Sequence, residues 1–307
     1  MKWILGIDGG GTRTTAWAGD LTGGVLGRIE KGPANYHVTG LVQFQTLIAE
    51  IVEELGHICG LDQSGLELIS LGLAGVDRPR DREQINTALD NLKLDCRLLV
   101  NNDAVIALAA GLGKAEGIVL IAGTGSIAYG VNAAGGAVRA GGWGHVASDE
   151  GSGYDIGRQA LQRGIMAWEG RDKPTVLLAK IMEYIAVDDM DGLIQFIYHP
   201  DTDKAAIAAL TEVVAAAARQ GDAVASEILL AAADALSDLV KSVISRGFTG
   251  AGQVEVCTFG GVVNHIPLIR QRLAERLAGQ AQMVQTDREP VWGALQLGYQ
   301  SIKSQKA

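Results

Sequence analysis

Along this chain, short apolar runs that end in glycine alternate with segments whose apolar residues recur at helical spacing. The runs at 3–7, 13–18, 25–29, 68–73, 97–100, 117–122, 127–131, 137–140, 254–259 and 281–285 predict strands. Between them Phe44, Leu47, Ile48, Ile51, Val52 and Leu55 fall on one helical face, as do Ile228, Leu229, Ala232, Leu236, Leu239, Val240, Val243 and Ile244. Residues 174–246 read as wholly helical, and 290–299 as a last helix returning to the start of the fold. Such an alternation predicts an α/β architecture.

The polar interruptions carry the next signal. Glycine accounts for 41 residues, near twice the usual ~7%. It clusters just after the apolar runs, at Gly9-Gly10-Gly11, Gly72, Gly123 with Gly125, Gly141-Gly142 with Gly144, and Gly260-Gly261. That placement predicts turns at strand ends, where backbone can approach a ligand closely. Two of the clusters repeat a larger pattern. Gly9-Gly10-Gly11-Thr12 and Gly123-Thr124-Gly125-Ser126 each follow an apolar strand and lead into a second one. A paired-glycine turn, Gly23-Gly24 or Gly135-Gly136, and a third strand come next. Each half therefore starts with the same β-meander, although glycine-turned hairpins also recur by chance. If the halves pack pseudo-symmetrically, the two turns face a common cleft with unblocked backbone N–H groups, a surface that attracts anions.

At 307 residues with 48% hydrophobic composition, the chain can fill two cores, since one core rarely grows past ~250 residues. The Gly111-Leu112-Gly113 stretch is the expected break between them. A net charge of −9 without a Lys/Arg cluster argues against nucleic acid as a partner. Cys59, Cys96 and Cys257 show neither disulfide-framework nor zinc spacing, which fits a reducing cytoplasm. No apolar run reaches the ~18 residues of a membrane span, so no membrane association is expected. Gly9-x-Gly11 lacks the third glycine of a dinucleotide fingerprint and leads into a strand, Gly113-Lys114 is followed by Ala115 instead of a hydroxyl, and neither GxSxG nor HExxH occurs. The histidines His37, His57, His145, His199 and His265 show no ligand spacing and read as surface or packing residues.

Taken together, Asp8-Gly9-Gly10-Gly11-Thr12, Asn102-Asp103-Ala104, Gly123-Thr124-Gly125-Ser126, Gly141-Gly142-Trp143-Gly144-His145 with Asp149-Glu150-Gly151-Ser152, and Phe259-Gly260-Gly261-Val262 resemble the N-acetylglucosamine kinase and BadF/BadG ATPase family. That family lies within the superfamily of sugar kinases, actin and heat-shock chaperones. The resemblance runs in order from the first strand almost to the C-terminus. It implies two ribonuclease-H-like (actin-like ATPase) domains related by internal duplication, with a largely helical insertion in the second. The expected boundaries are 1–112, joined by a C-terminal helix 290–307, and 113–289. The domains would close on ATP and a hexose, in a cytoplasmic homodimer.

The same resemblance implies roles for single residues. Gly9, Gly10, Gly11, Thr12, Arg13, Gly123, Thr124, Gly125, Gly260 and Gly261 would contact ATP, because a transition state that spreads charge over phosphoryl oxygens needs backbone donors close by. Arg13 equally reads as a solvated strand residue, and close helix–strand packing explains one of Gly260 and Gly261 more easily than both. Asp8 would hold Mg²⁺, through waters; a turn aspartate bonding its own backbone is the plain alternative. Asp103 reads on local grounds as a helix N-cap and, by resemblance, as the general base that also contacts the sugar. Asn102 orients it or is a turn residue. Asn35, Ser126, Gly142, Trp143 and Asp149 would complete the sugar site, with Asn35 otherwise a turn residue and Trp143 otherwise a core or loop plug. Ser152 and Asp155 are spaced as a capping box, and Glu150 reads as a first-turn charge.

The activity expected is transfer of the ATP γ-phosphate to the 6-hydroxyl of N-acetylglucosamine. Ile127, where N-acetyl-specific relatives often carry asparagine, keeps glucosamine open as the acceptor. A different class, the ATPase activators of acyl-CoA dehydratases, shares an iron–sulfur cluster held by mid-chain cysteines. The absence of cysteine between Cys96 and Cys257 argues against it.

Overall fold

A computed structural model describes residues 1–76, 78–250 and 252–304. The chain divides into two compact units, Met1–Gly117 with Gln285–Ala307, and Ile118–Val284.

The first unit is built on strands β1 (Trp3–Gly9), β2 (Thr14–Asp20), β3 (Val25–Lys31), β4 (Leu66–Leu73) and β5 (Arg97–Asn102), in sheet order β3-β2-β1-β4-β5. The meander β1-β2-β3 is antiparallel, whereas β4 and β5 add parallel to β1. Alternation sends Leu5, Ile7, Ile69 and Leu71 to a face covered by Phe44, Ile48 and Ile51 of helix Leu41–Cys59. On the opposite face Ile4, Trp17 and Leu68 meet Val291, Leu295 and Tyr299 of the last helix, Pro290–Lys303. That helix ends short of the expected 307; residues 305–307 lie outside the described residues.

The second unit repeats the plan. Its strands are β6 (Gly117–Ala122), β7 (Ser126–Val131), β8 (Ala137–Gly141), β9 (Val254–Phe259) and β10 (Ala281–Val284), in the order β10-β9-β6-β7-β8. Read from the meander side, β8-β7-β6-β9-β10 matches β3-β2-β1-β4-β5 position for position. Duplication, not coincidence, explains the paired glycine motifs. All ten expected strands form, each with ends within two residues of expectation.

The insertion between β8 and β9 is helical but interrupted. Beyond helix Gly153–Trp168, the stretch expected to be wholly helical divides into Leu177–Tyr184, Met190–Tyr198, Lys204–Ala209, Thr211–Arg219 and Ala223–Gly247. Asp189, Asp203 and Asp222 set three of the restarts, each accepting from a backbone N–H in the first turn of the new helix. Gly113 caps helix Asp103–Leu112 in a left-handed conformation, φ 70°; the two units part four residues later, between Gly117 and Ile118. Among the described residues no helix is long and apolar enough to cross a membrane.

Candidate active site

Parallel pairing of β1, β4 and β5 brings their carboxyl ends to one edge, with Gly9 opposite Leu73 and Leu73 opposite Asn102. Asp8 and Asp103 thus stand two strand spacings apart, about 10 Å along the edge, on either side of Gly72. This carboxyl edge of a parallel sheet is where α/β folds place ligands. Asp8 is half-buried, and its pKa is raised to about 7, by burial first and the Asp103 charge second, against the opposing pull of Arg13 and with a smaller contribution from Glu289. A carboxylate held in that condition is short of positive charge.

Helix Asp103–Leu112 begins one residue earlier than local preference indicated. Its N-cap is Asn102, whose side chain accepts from the Val105 N–H at 2.9 Å. Asp103 is instead the first helical residue, its Oδ1 accepting from the Ala104 N–H at 2.9 Å. The shift has a cause in the sheet: β5 pairs with β4 as far as Asn102 and no further, so Asn102 keeps an extended backbone, φ −76° and ψ 163°, and helical geometry starts at Asp103.

Asn35 lies beside the same edge. The backbone N–H groups of Ala34 and Asn35 donate to the Gly10 carbonyl at 3.1 and 3.2 Å, and the Asn35 side chain accepts from His37 N–H. This turn is braced by residues not singled out in the sequence. The Tyr36 hydroxyl donates to buried Asp81 at 2.7 Å, and His37 Nε2 lies 3.3 Å from the Gly75 carbonyl oxygen. Burial disfavours the Asp81 carboxylate, but hydrogen bonds from Tyr36 and the Arg78 amide outweigh it and hold its pKa below the ordinary value.

The glycine turns are more closed than expected. Gly10 N–H donates to the Arg13 carbonyl at 2.9 Å and Gly123 N–H to the Gly125 carbonyl at 3.0 Å, so each turn consumes one of its own donors. Thr12 and Arg13 are exposed, and Arg13 lies 3.9 Å from Glu30, a weak surface pair. In the second unit the carbonyls of Gly123 and Thr124 accept from Gly153 and Tyr154, which fastens this turn to the start of helix Gly153–Trp168. Ser152 caps that helix as expected, but Asp155 reaches back to Gly151 N–H, and Glu150 lies before the helix instead of in its first turn.

Asp149 is the most constrained of the sugar-site candidates. It is 3% exposed and left-handed at φ 69°, an uncommon conformation for a residue with a side chain. Its Oδ1 accepts from the Ser126 N–H at 3.2 Å and its Oδ2 from Lys204 Nζ at 2.6 Å. The Ser126 hydroxyl donates to the Glu150 carbonyl at 2.8 Å. Trp143 is neither core nor plug: it is 64% exposed, with the Arg139 guanidinium 3.8 Å over its ring. Ile127 packs onto the Gly142 backbone, where a Cβ would lie 2.7 Å from Ile127 Cδ1.

Within the second unit a cavity of ≈ 560 Å³ is lined by Thr124, Gly153, Ala205, Ala208, Gly261 and His265, among others. Gly260 and Gly261 have different reasons to be glycine. Gly260 has φ 100°, and a Cβ there would collide with the Ala122 carbonyl. Gly261 has only His265, at 3.7 Å, near its would-be Cβ and faces the cavity.

The sequence profile of the BadF/BadG/BcrA/BcrD ATPase family matches residues 5–298. The chain belongs to that family. The N-acetylmuramic acid/N-acetylglucosamine kinase of Clostridium acetobutylicum is 39% identical to it over 267 residues, 87% of each chain. The N-acetyl-D-glucosamine kinase of Dictyostelium discoideum is 31% identical over 315 residues, 98% of each. A solved structure from Chromobacterium violaceum, provisionally described as an N-acetylglucosamine kinase, superposes with a TM-score of 0.78 at 25% identity, covering 97% of this chain and 99% of that one. The ROK family glucokinase of Streptomyces griseus, in complex with glucose and AMPPNP, shares the fold at a TM-score of 0.56 and 19% identity, over 96% and 98% of the two chains.

Some of the strand-end glycines are open rather than packed. Neither Gly11 nor Gly123 has a protein atom within 4 Å of where a Cβ would stand, so each leaves room above its backbone that a side chain would fill. Phosphate oxygens fit such positions, and the cavity beside Gly261 and Thr124 has the volume of a small-molecule site. Asp8 offers the oxygen donor that Mg²⁺ prefers, and its raised pKa marks a carboxylate that a cation would satisfy. No cluster of three or more His, Cys, Asp or Glu side chains that could hold a metal occurs among the described residues.

Proposed function

We propose that this ATP-using protein is an amino-sugar kinase that transfers the ATP γ-phosphate to the 6-hydroxyl of N-acetylglucosamine. The observation that carries the reading is the Asp8/Asp103 pair on the carboxyl edge of the first sheet, in a chain 39% identical to an N-acetylmuramic acid/N-acetylglucosamine kinase. Asp103 is assigned the role of general base. Its Oδ1 accepts from the Ala104 amide, and it stands in the first turn of a helix, where the dipole favours negative charge. In that role it takes the proton of the attacking hydroxyl as the new O–P bond forms and the bond to the ADP oxygen breaks.

Gly11, Thr12, Gly123 and Thr124 are assigned to the phosphates and the cavity beside Gly261 to adenosine. Asp8 is assigned to Mg²⁺, which supplies charge neutralisation on the phosphoryl oxygens when bound. Asn35, Ser126, Asp149 and the Gly142–Trp143 loop are assigned to the sugar. Ile127 presents apolar surface beside Gly142, which suits an acetamide methyl better than an ammonium. The reading extends, on family resemblance, to a cytoplasmic homodimer with each unit acting as one domain. The activator alternative gains no support, since Cys257 is buried and no cysteine lies between it and Cys96.

The test is ADP release across a panel of hexoses with ATP and Mg²⁺, followed by NMR assignment of the phosphorylated carbon. N-acetylglucosamine should exceed glucosamine at least tenfold in kcat/KM, about 1.4 kcal/mol of discrimination. Glucosamine preferred by that margin would reverse the acceptor while leaving a kinase, and no stimulation by any hexose would sink the reading itself.

A further inference from the structure

Asp149 has properties that its assignment to the sugar does not explain. A buried carboxylate is costly unless paired, and a left-handed backbone at a non-glycine residue persists only when its surroundings over-determine it. Here they do. Ser126 N–H and Lys204 Nζ take the two carboxylate oxygens, at 3.2 and 2.6 Å, and the Asp149 carbonyl accepts from Ser152 N–H at 3.1 Å. Gly125 leaves room for the carboxylate, since a Cβ there would lie 3.0 Å from Oδ1. Lys204 is the one cation recorded against Asp149 among the described residues, and it comes from 55 positions away in sequence.

Lys204 opens the short helix Lys204–Ala209, whose Ala205 and Ala208 line the cavity. That helix is pressed against helix Gly153–Trp168: a Cβ on Gly157 would collide with the Ile207 carbonyl, and one on Gly153 would lie 3.2 Å from Ala208 Cβ. The ammonium is therefore delivered from a braced segment, its side chain 31% exposed and its tip on a carboxylate 4% exposed.

We propose that Lys204 is a positioning residue for the acceptor sugar, holding the Asp149 carboxylate in the orientation in which it accepts hydrogen bonds from the sugar's hydroxyls. This rests on the amino-sugar kinase reading. Lys204 is not assigned to the phosphates, because its ammonium is already engaged by a buried carboxylate whose other oxygen is bound to Ser126. Without Lys204, the Asp149 carboxylate loses the partner that fixes Oδ2, turns away and stops accepting from the sugar.

The experiment compares full-length wild type, Lys204→Met and Lys204→Arg by steady-state kinetics with N-acetylglucosamine and ATP varied in turn, and by calorimetric titration of the sugar. Lys204→Met should raise both KM and Kd for the sugar at least tenfold while kcat and the KM for ATP stay within threefold. Lys204→Arg, which keeps the charge, should recover most of the loss. If Lys204→Met fails to fold, Lys204→Gln carries the same comparison, since it can still donate to Asp149 but brings no charge. An unchanged sugar KM, or a loss confined to kcat or to the KM for ATP, overturns the proposal. Wild type that phosphorylates no hexose overturns the kinase reading and this one with it; active wild type with an indifferent Lys204→Met overturns this one alone.

Discussion

Replacing Asp8 by Asn should make the ligand-free protein more stable at neutral and alkaline pH, the reverse of what losing a charged residue near a helix or strand end usually does. Burial and the neighbouring Asp103 raise the Asp8 pKa from 3.8 to about 7. A folded-state pKa above the unfolded one means that the native protein binds this proton more tightly. The destabilisation is therefore absent below the unfolded pKa, develops between about pH 4 and pH 7, and is complete above pH 7. The shift corresponds to a ceiling of about 4 kcal/mol, and solvent reaching a half-buried side chain reduces the expected value to about 2 kcal/mol. Asparagine has nearly the same shape and no charge to desolvate. At 2–4 °C per kcal/mol for units of this size, Asp8→Asn should melt roughly 4–8 °C above wild type near pH 8, and within about 2 °C of it near pH 4.5. Calorimetric melting in EDTA, without nucleotide, across that range measures both limits. Addition of Mg·ATP should then raise the wild-type melting temperature more than the variant's, because the cation relieves a charge the variant lacks. A variant that melts below wild type near pH 8, or a difference that does not shrink on acidification, would refute this account of the site.

Asp103→Asn keeps the shape of the side chain and removes the proton acceptor, so kcat should fall by ~10²–10⁴ with the sugar KM nearly unchanged; near-normal turnover would remove Asp103 from its role. Gly260→Ala should lower the melting temperature and yield little soluble protein, since φ 100° and the Ala122 carbonyl both exclude a side chain. Gly261→Val should instead melt like wild type and raise the KM for ATP at least tenfold more than that for the sugar, measured by ADP release; equal losses for both substrates would take adenosine away from Gly261.

How much of this was legible in the sequence depended on how locally each feature is determined. The strands were, because an apolar run closed by glycine is a signal contained within a few residues, and so was the duplication, because it repeats that signal. The breaks within 174–246 were not. Ala-rich sequence satisfies a helix anywhere along it, and where each helix restarts is decided by which aspartate, Asp189, Asp203 or Asp222, finds the first-turn amides once the segments pack. Asn102 and Asp103 are both capping residues, and only the register of β5 against β4 selects the first. Lys204 with Asp149 and Tyr36 with Asp81 are pairs separated by 55 and 45 positions, so no spacing rule could have joined them.

The glycines carry the argument one step further. In sequence the strand-end clusters look alike, each a candidate for ligand contact and each a candidate for tight packing. In the fold they separate. Gly9 is glycine because a Cβ would meet Leu73 and Ala34 at 2.6 and 2.9 Å, Gly125 because Asp149 fills the space, Gly142 because Ile127 does, and Gly260 because of Ala122. Gly11, Gly123 and Gly261 have no such neighbour and no positive φ to require glycine. A glycine weakens the element that holds it by about 0.5–1 kcal/mol relative to alanine. Where neither packing nor backbone geometry accounts for it, the space it leaves is available to a ligand, and these three positions belong to the motifs through which the family resemblance assigns ATP. The phosphate and adenosine assignments therefore rest on Gly11, Gly123 and Gly261 far more than on the neighbouring glycines, whose absence of a side chain the protein itself explains.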